Sequence, residues 1–196
     1  MFTYLADLLT LAADNGMEIN TSKTKEMLLG PLATINLPLL TISWQTIERV
    51  TSFRLLGVHL DSSLAWSTHI NHIVKKATTR LYFLKQLKGA ALSSSHLLHF
   101  YITVIRPVLE YCAPLWHYAL TKAQSESLEA VQKRAIRIIH ISTHGMPYSS
   151  MLFYANLSSL ASRREDLSYK FFDLSYRGSC LLSPQSSPPP RPSAVT

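Results

Sequence analysis

Cysteine occurs only twice in this chain, at Cys112 and Cys180, too few for a disulfide framework or for a four-thiolate zinc site. The setting expected from that usage is reducing and intracellular, cytoplasmic or nuclear. Glycine is also scarce: six residues, all isolated, exclude a glycine-rich phosphate loop. Acids are thinly spread, twelve against nineteen Lys and Arg, and Glu165-Asp166 is the one adjacent pair. That pair stands beside Arg163 and Arg164 and reads as a surface ion-pair cluster rather than a metal site. No basic stretch followed by an apolar run opens the chain, so no signal peptide is expected. The charge-free run from Met27 to Ile47 is long enough to span a membrane, but Gly30, Pro31, Asn36 and Pro38 interrupt it. It reads as short strands joined by turns, and no membrane partner is expected.

The remainder is apolar enough to fold and distinctly basic. A length of 196 residues with 47% apolar side chains supports one domain, or one and a half, with a real core. The net charge of +7 and pI near 9.5 favour a polyanionic partner, nucleic acid ahead of an anionic membrane surface. A plain basic protein is the bland alternative.

Hydrophobic periodicity divides the chain in two. Phe2–Asn15 has a helical period in Leu5, Leu8, Leu9, Ala12 and Ala13, and Asn15-Gly16 is a helix stop. Glu26–Leu29 is a strand candidate, Leu37–Ile42 and Ile47–Val50 a candidate hairpin, and Ser52–Leu60 a further strand with Gly57 at a tight spot or bulge. Beyond Asp61 the pattern is helical. A helix capped by Ser67 or Thr68 runs to Lys88, with Ile70, Ile73, Val74, Ala77, Leu81 and Leu84 on one face. A second starts near Ser93–Ser95 and continues to Trp116. Pro107 inside it implies a kink or two abutting helices. Further helices are expected over Lys122–His140, Ser149–Ser159 and Ala161–Tyr176. The predicted fold class is α+β: a small β-containing part over 1–61, an all-helical part over 62–182, and a Pro/Ser-rich disordered tail over 183–196.

Two kinds of constellation could carry chemistry. His69 and His72, like His96 and His99, lie three apart on predicted helices, but no spacing supplies the third and fourth ligands of a zinc site. No metal site is expected. The basic helix faces are sharper. On the Lys122–His140 wheel, Leu128, Val131, Ala135, Ile138 and Ile139 share one side, and Lys133, Arg134, Arg137 and His140 the other. The Ser67–Lys88 helix carries Lys75, Lys76, Arg80, Lys85 and Lys88 and no acid. Such faces either track a phosphate backbone or are merely solvated, with Lys85 and Lys88 complementing the helix C-terminus.

GMEINTSKTKEMLLG at Gly16–Gly30 and FRLLGVHLD at Phe53–Asp61 resemble segments of the reverse transcriptases of LINE-type non-LTR retrotransposons. Asn20, Lys23 and Thr24 match the family's "G-x-x-x-N-x-x-K-T" segment. Phe53, Leu56, Gly57 and Val58 match its "F-K-Y-L-G-V" hairpin, with Arg54 in place of lysine. WSTHINHIVKKA, VIRPVLEYCAPLW and LEAVQKRAIRII resemble its thumb and the helices beyond. The resemblance implies a partial palm with a primer-grip hairpin at Phe53, Leu56, Gly57 and Val58. It implies a palm lysine at Lys23 near incoming phosphates, whose bland reading is a turn lysine, and then a helical thumb. It also implies that the catalytic aspartates and the YxDD pair are missing. The chain is then expected to be a truncated copy without polymerase activity. The intact family's Mg²⁺ would have no ligands here, and no other cofactor is expected.

The function expected on that basis is residual, weak, non-specific binding of RNA–DNA or DNA duplex, through Lys75, Lys76, Arg80, Lys133, Arg134 and Arg137. The alternatives are a non-enzymatic helical module that binds protein, or a relic with no selected role. The sequence fixes no oligomeric state.

Overall fold

The computed structural model describes residues 2–180, so the expected tail over 183–196 lies outside the described residues. The fold is α+β and divides into two compact units between His69 and Ile70.

The first unit opens with helix α1 (Phe2–Asp14), stopped at Gly16 with φ of 65°. Its strands form three separate two-stranded ribbons. β1 (Lys25–Glu26) pairs in parallel with β4 (Glu48–Arg49), and β2 (Thr41–Ile42) pairs antiparallel with β3 (Gln45–Thr46). β5 (Ser52–Leu55) pairs antiparallel with β6 (Val58–Asp61), Leu55 opposite Val58. The expected strand Ser52–Leu60 is therefore a hairpin broken at Leu56-Gly57. Both turn residues are left-handed, with φ of 49° and 88°, and two such residues match the right-handed twist of the flanking strands. The β2–β3 ribbon turns the same way at Ser43-Trp44. Strand Glu26–Leu29 shrinks to β1, where Arg49 Nε donates to Glu26 Oε2 at 2.9 Å and Lys25 Nζ to Glu48 Oε2 at 2.5 Å. Among the described residues no larger sheet forms, and these ribbons are the small β part expected at the N-terminus.

Asp61 makes the sharp exit from β6. Its Oδ1 accepts from the backbone N–H groups of Ser63 and Ala65, each at 3.1 Å, and from the Ser63 hydroxyl. The Ser63 hydroxyl above all holds its carboxyl below the ordinary aspartate value. Helix α2 (Ser67–Gly89) follows.

The second unit is helical. Along α2 the residues Ile70, Ile73, Ala77, Leu81 and Leu84 are buried, and Val74 is half-buried. Ser93 caps α3 (Ser94–Phe100) by accepting from His96 N–H. The break expected at Pro107 is a change of register. A π-helical stretch, Tyr101–Ile105, joins α3 to α4 (Arg106–Glu110), and the Arg106 N–H bonds to the Tyr101 carbonyl five residues back. Proline brings no N–H, and its ring crowds the preceding turn; the wider register relieves both problems. Cys112, with φ of 52°, turns the chain into α5 (Ala113–Trp116). Helix α6 (Lys122–Ile139) starts with a capping box, Thr121 and Gln124 bonding each other's backbone N–H. α7 (Tyr148–Tyr154) and α8 (Leu160–Cys180) complete the unit.

Helix α6 is the hub. Its buried residues are Leu128, Val131, Gln132, Ala135, Ile136 and Ile139, so Ile136 takes the core place expected for Ile138. Gln132 is wholly enclosed and fully bonded. It accepts from the Tyr101 hydroxyl at 2.5 Å and donates to the Tyr148 hydroxyl at 3.0 Å and the Ser158 carbonyl at 2.9 Å. One turn earlier, Glu129 accepts from the Tyr148 hydroxyl at 2.5 Å and from the backbone N–H groups of Leu160 and Ala161 at 3.2 and 2.7 Å. A carboxylate from α6 thus caps the N-terminus of α8. Burial, more than any charge, pushes both tyrosine hydroxyls above their ordinary pKa.

The ion-pair cluster expected among Arg163, Arg164, Glu165 and Asp166 does not form. Arg163 instead binds Glu110 with two hydrogen bonds, at 2.5 and 3.1 Å. Arg164 is buried with its guanidinium carbon 5.8 Å from the centre of the Trp116 ring, and it donates to Ser125 Oγ at 2.9 Å. Both glutamate and aspartate of the 165–166 pair remain exposed. Helix periodicity turned Arg164 inward, and the partner of Arg163 lies 53 residues away.

Replacing Glu129 by Ala strips two N–H groups of α8 and the Tyr148 hydroxyl of their acceptor. The expected loss is on the order of 2–3 kcal/mol of unfolding free energy in urea denaturation. Glu126→Ala, at an exposed position of the same helix, should stay within about 0.5 kcal/mol. Equal effects of the two changes would show that Glu129 caps nothing.

Candidate nucleic-acid interface

Two faces meet in the second unit to make a basic groove of about 340 Å³. From α2 come Thr78, Leu81, Tyr82 and Lys85; from α6 come Arg134, Arg137 and Ile138; and His144 joins them from beyond α6. The spacing explains the α2 wall. At about 100° per residue, positions 75, 78, 82 and 85 fall within about 80° of one another, so one helix face presents them together. On α6, Arg134 and Arg137 are three apart and also share a face.

No acid lines the groove among the described residues. Arg134 donates to Thr78 Oγ1 at 3.1 Å, a bond that joins the two walls. Lys85, Arg134 and Arg137 take part in none of the ion pairs among the described residues. Arg137 Nε is buried and donates to nothing in the described structure. Arg164 Nε and Nη1 are buried and unpaired in the same way, so the feature is shared with an arginine outside the groove.

The expected basic residues divide. Lys85, Arg134 and Arg137 line the groove, and Lys75 shares the α2 face of Thr78, Tyr82 and Lys85 without lining it. Arg80 points the other way, about 140° around the wheel from Lys75, and donates to the Val104 carbonyl in the π-helical stretch. It is a structural arginine. Lys76 is exposed off the groove face, and Lys133 is half-buried next to Arg137 on the wheel without lining the groove. Lys88 bonds the Ile138 and Ile139 carbonyls at the α6 C-terminus, with 3.0 Å to Ile139. Tyr82, Thr78 and His144 were not singled out from sequence. The 75/78/82/85 spacing was the signal for the first two, but His144 reaches the groove only through the turn after α6.

The N-terminal candidates are not brought together in this way. Leu56 stands exposed at the hairpin tip beside Gly57, Val58 is buried, and Phe53 lines a shallow apolar hollow with Met27, Leu29 and Leu60. Lys23 is an exposed turn lysine. Asn20 folds that turn, its Oδ1 accepting from the Lys23 N–H at 3.2 Å and its carbonyl from Thr24 Oγ1 at 2.9 Å. Turn chemistry accounts for Asn20 and Thr24. Among the described residues no three His, Cys, Asp or Glu side chains converge as a metal site, and no helix is long and apolar enough to cross a membrane.

Residues 66–106 match a family model described as the N-terminal region of alkylated DNA repair protein alkB homolog 8. No curated protein and no solved structure matches the chain. The match spans about a fifth of the sequence and includes the α2 wall of the groove, with α6 outside it. It is not a reverse-transcriptase model, and it overturns the resemblance to LINE-type reverse transcriptases. The reading as a truncated polymerase falls with it. The primer-grip role of Phe53, Leu56, Gly57 and Val58 and the palm role of Lys23 rested on that resemblance alone. The motifs that carried it were short, and the structure gives local reasons for them: an Asn turn at 20–24 and a two-residue hairpin turn at 56–57.

His140 follows α6, its ring edge-on to Tyr154 at 5.2 Å. Burial first and the Lys88 charge second hold its pKa below the ordinary 6.5; burial and then Arg164 do the same to His117. Both histidines bind protons more readily unfolded than folded. Their contribution to stability is present above about pH 6.5 and is lost as pH falls from there through the folded-state values. Unfolding free energy should therefore decline on acidification below pH 6.5. In ¹H–¹⁵N titration the Lys88→Met protein should show His140 titrating at higher pH than the parent. An unmoved His140 would show that Lys88 does not act on it.

Proposed function

We propose that this chain is a nucleic-acid-binding module, not an enzyme, which holds phosphates in the groove between α2 and α6. The observation that carries the reading is the convergence of Lys85, Arg134 and Arg137 in one groove without a lining acid. Charge of one sign in a recess focuses the field and attracts polyanions. The family matched by the α2 segment is named for repair of alkylated DNA, which agrees with a nucleic-acid partner. The overall charge of +7 favours the same partner. The groove offers cations and hydroxyls and no carboxylate, a lining that suits the binding of phosphate. Contacts of this kind read phosphate and not sequence, so binding is weak and non-specific, and RNA–DNA hybrid and DNA duplex are both bound. A cytoplasmic or nuclear setting agrees with such partners.

The test is the salt dependence of binding. Each phosphate contact contributes about 0.9 to the slope of log K against log salt on B-DNA. Changing Lys85, Arg134 and Arg137 together to Gln should flatten the slope by up to about 2.7. Loss of the Arg134–Thr78 bond should cost about 1 kcal/mol of stability, so melting curves accompany the binding data. A folded triple variant with the parent's slope would move the contact surface elsewhere. A parent protein without salt-sensitive affinity would end the nucleic-acid reading.

A further inference from the structure

The groove is not only charged. Tyr82 forms part of its wall and is 60% exposed, an aromatic face set among three cations. Its neighbour Phe83 makes a T-shaped contact with it, ring centres 5.8 Å apart at 73°. An open aromatic face beside guanidinium groups is a platform for a nucleobase, because every base has a π-face and every strand a phosphate within reach of it. The recess is also of the size that encloses a small organic group, at the low end of the roughly 300–1,000 Å³ of ligand pockets. A rigid duplex offers this recess only phosphates, since its bases are already stacked. An unpaired base can leave the strand and enter.

We infer that the α2–α6 groove is a single-strand site in which one unstacked base lies on Tyr82 while the adjoining phosphate is held by Arg137, Arg134 and Lys85. Arg137 and Arg134 line the same wall of the groove and hold the phosphate between them. Lys75, on the same α2 face ten residues before Lys85, extends the cationic track about 15 Å along the helix axis. The ligand is therefore a strand, not a free nucleotide. This deepens the nucleic-acid reading and rests on it. The stacking step reads no sequence, so the site accepts DNA and RNA strands alike.

The experiment uses the full chain with four probes: dT12, U12, a 12-base-pair DNA duplex and free dTMP. The parent should bind both single strands more tightly than the duplex and dTMP more weakly than dT12. Tyr82→Ala should cut affinity for dT12 and U12 on the order of tenfold, with a much smaller effect on the duplex. Tyr82→Phe keeps the ring and should restore the preference for single strands. Phe153→Ala removes an aromatic residue that is 91% exposed on α7, outside the groove, and should change nothing. Circular dichroism and melting curves confirm that each variant folds. Equal loss on duplex and single strand in folded Tyr82→Ala would overturn the inference, as would tighter duplex binding by the parent, or dTMP bound as tightly as dT12. Each of these leaves the phosphate groove standing. The salt-slope test on Lys85, Arg134 and Arg137 is what would bring the groove itself down.

Discussion

A single carboxylate and a single amide on one turn of α6 hold the helical unit together. Glu129 and Gln132 lie on the same face and reach the π-helical stretch through Tyr101, α7 through Tyr148, and the start of α8 through Ser158, Leu160 and Ala161. Every polar atom in this cluster that is enclosed has a partner, which makes it cohesive rather than costly. Three elements separated along the chain are fixed in register to α6. The orientation of α6 in turn decides where Arg134 and Arg137 point.

The scarcity of acids gives the groove its charge. Several of the carboxylates present are engaged elsewhere. Glu26 and Glu48 pair with Arg49 and Lys25, Asp61 folds a turn, Glu110 binds Arg163 and lies 3.8 Å from Arg106, and Glu129 caps α8. None is placed to neutralise Lys85, Arg134 or Arg137. The cations of α2 and α6 stay available in the groove because other basic residues, such as Arg49 and Arg163, take up the acids. Arg80 and Lys88 show the opposite outcome, their charges spent on backbone carbonyls within the unit.

Helices were the legible part of this fold. The apolar spacing of α2 and α6 marked their buried faces, Ser93 marked the cap of α3, and Pro107 marked the break that the π-helical stretch makes. The ribbons were less legible. The turn at Ser43-Trp44 lacks the usual Asn-Gly signal, and strands of two residues carry no periodicity. The family resemblance failed for a related reason. Short matches over turns and apolar helices report local chemistry that unrelated chains share.

The candidate site divides along the same line. Composition and helical spacing alone determined that the chain is basic, mostly helical beyond its first third, and carries cations on one face of α2 and of α6. Only the tertiary structure decided which cations meet. It turned Arg80 inward and buried Arg164, brought Lys85 and Tyr82 opposite Arg134 and Arg137, and left the Arg137 Nε–H without an acceptor. The reason is physical. A helix wheel gives the direction of a side chain about its own axis, whereas its partner is set by packing against a helix some fifty residues away, and no local pattern encodes that distance.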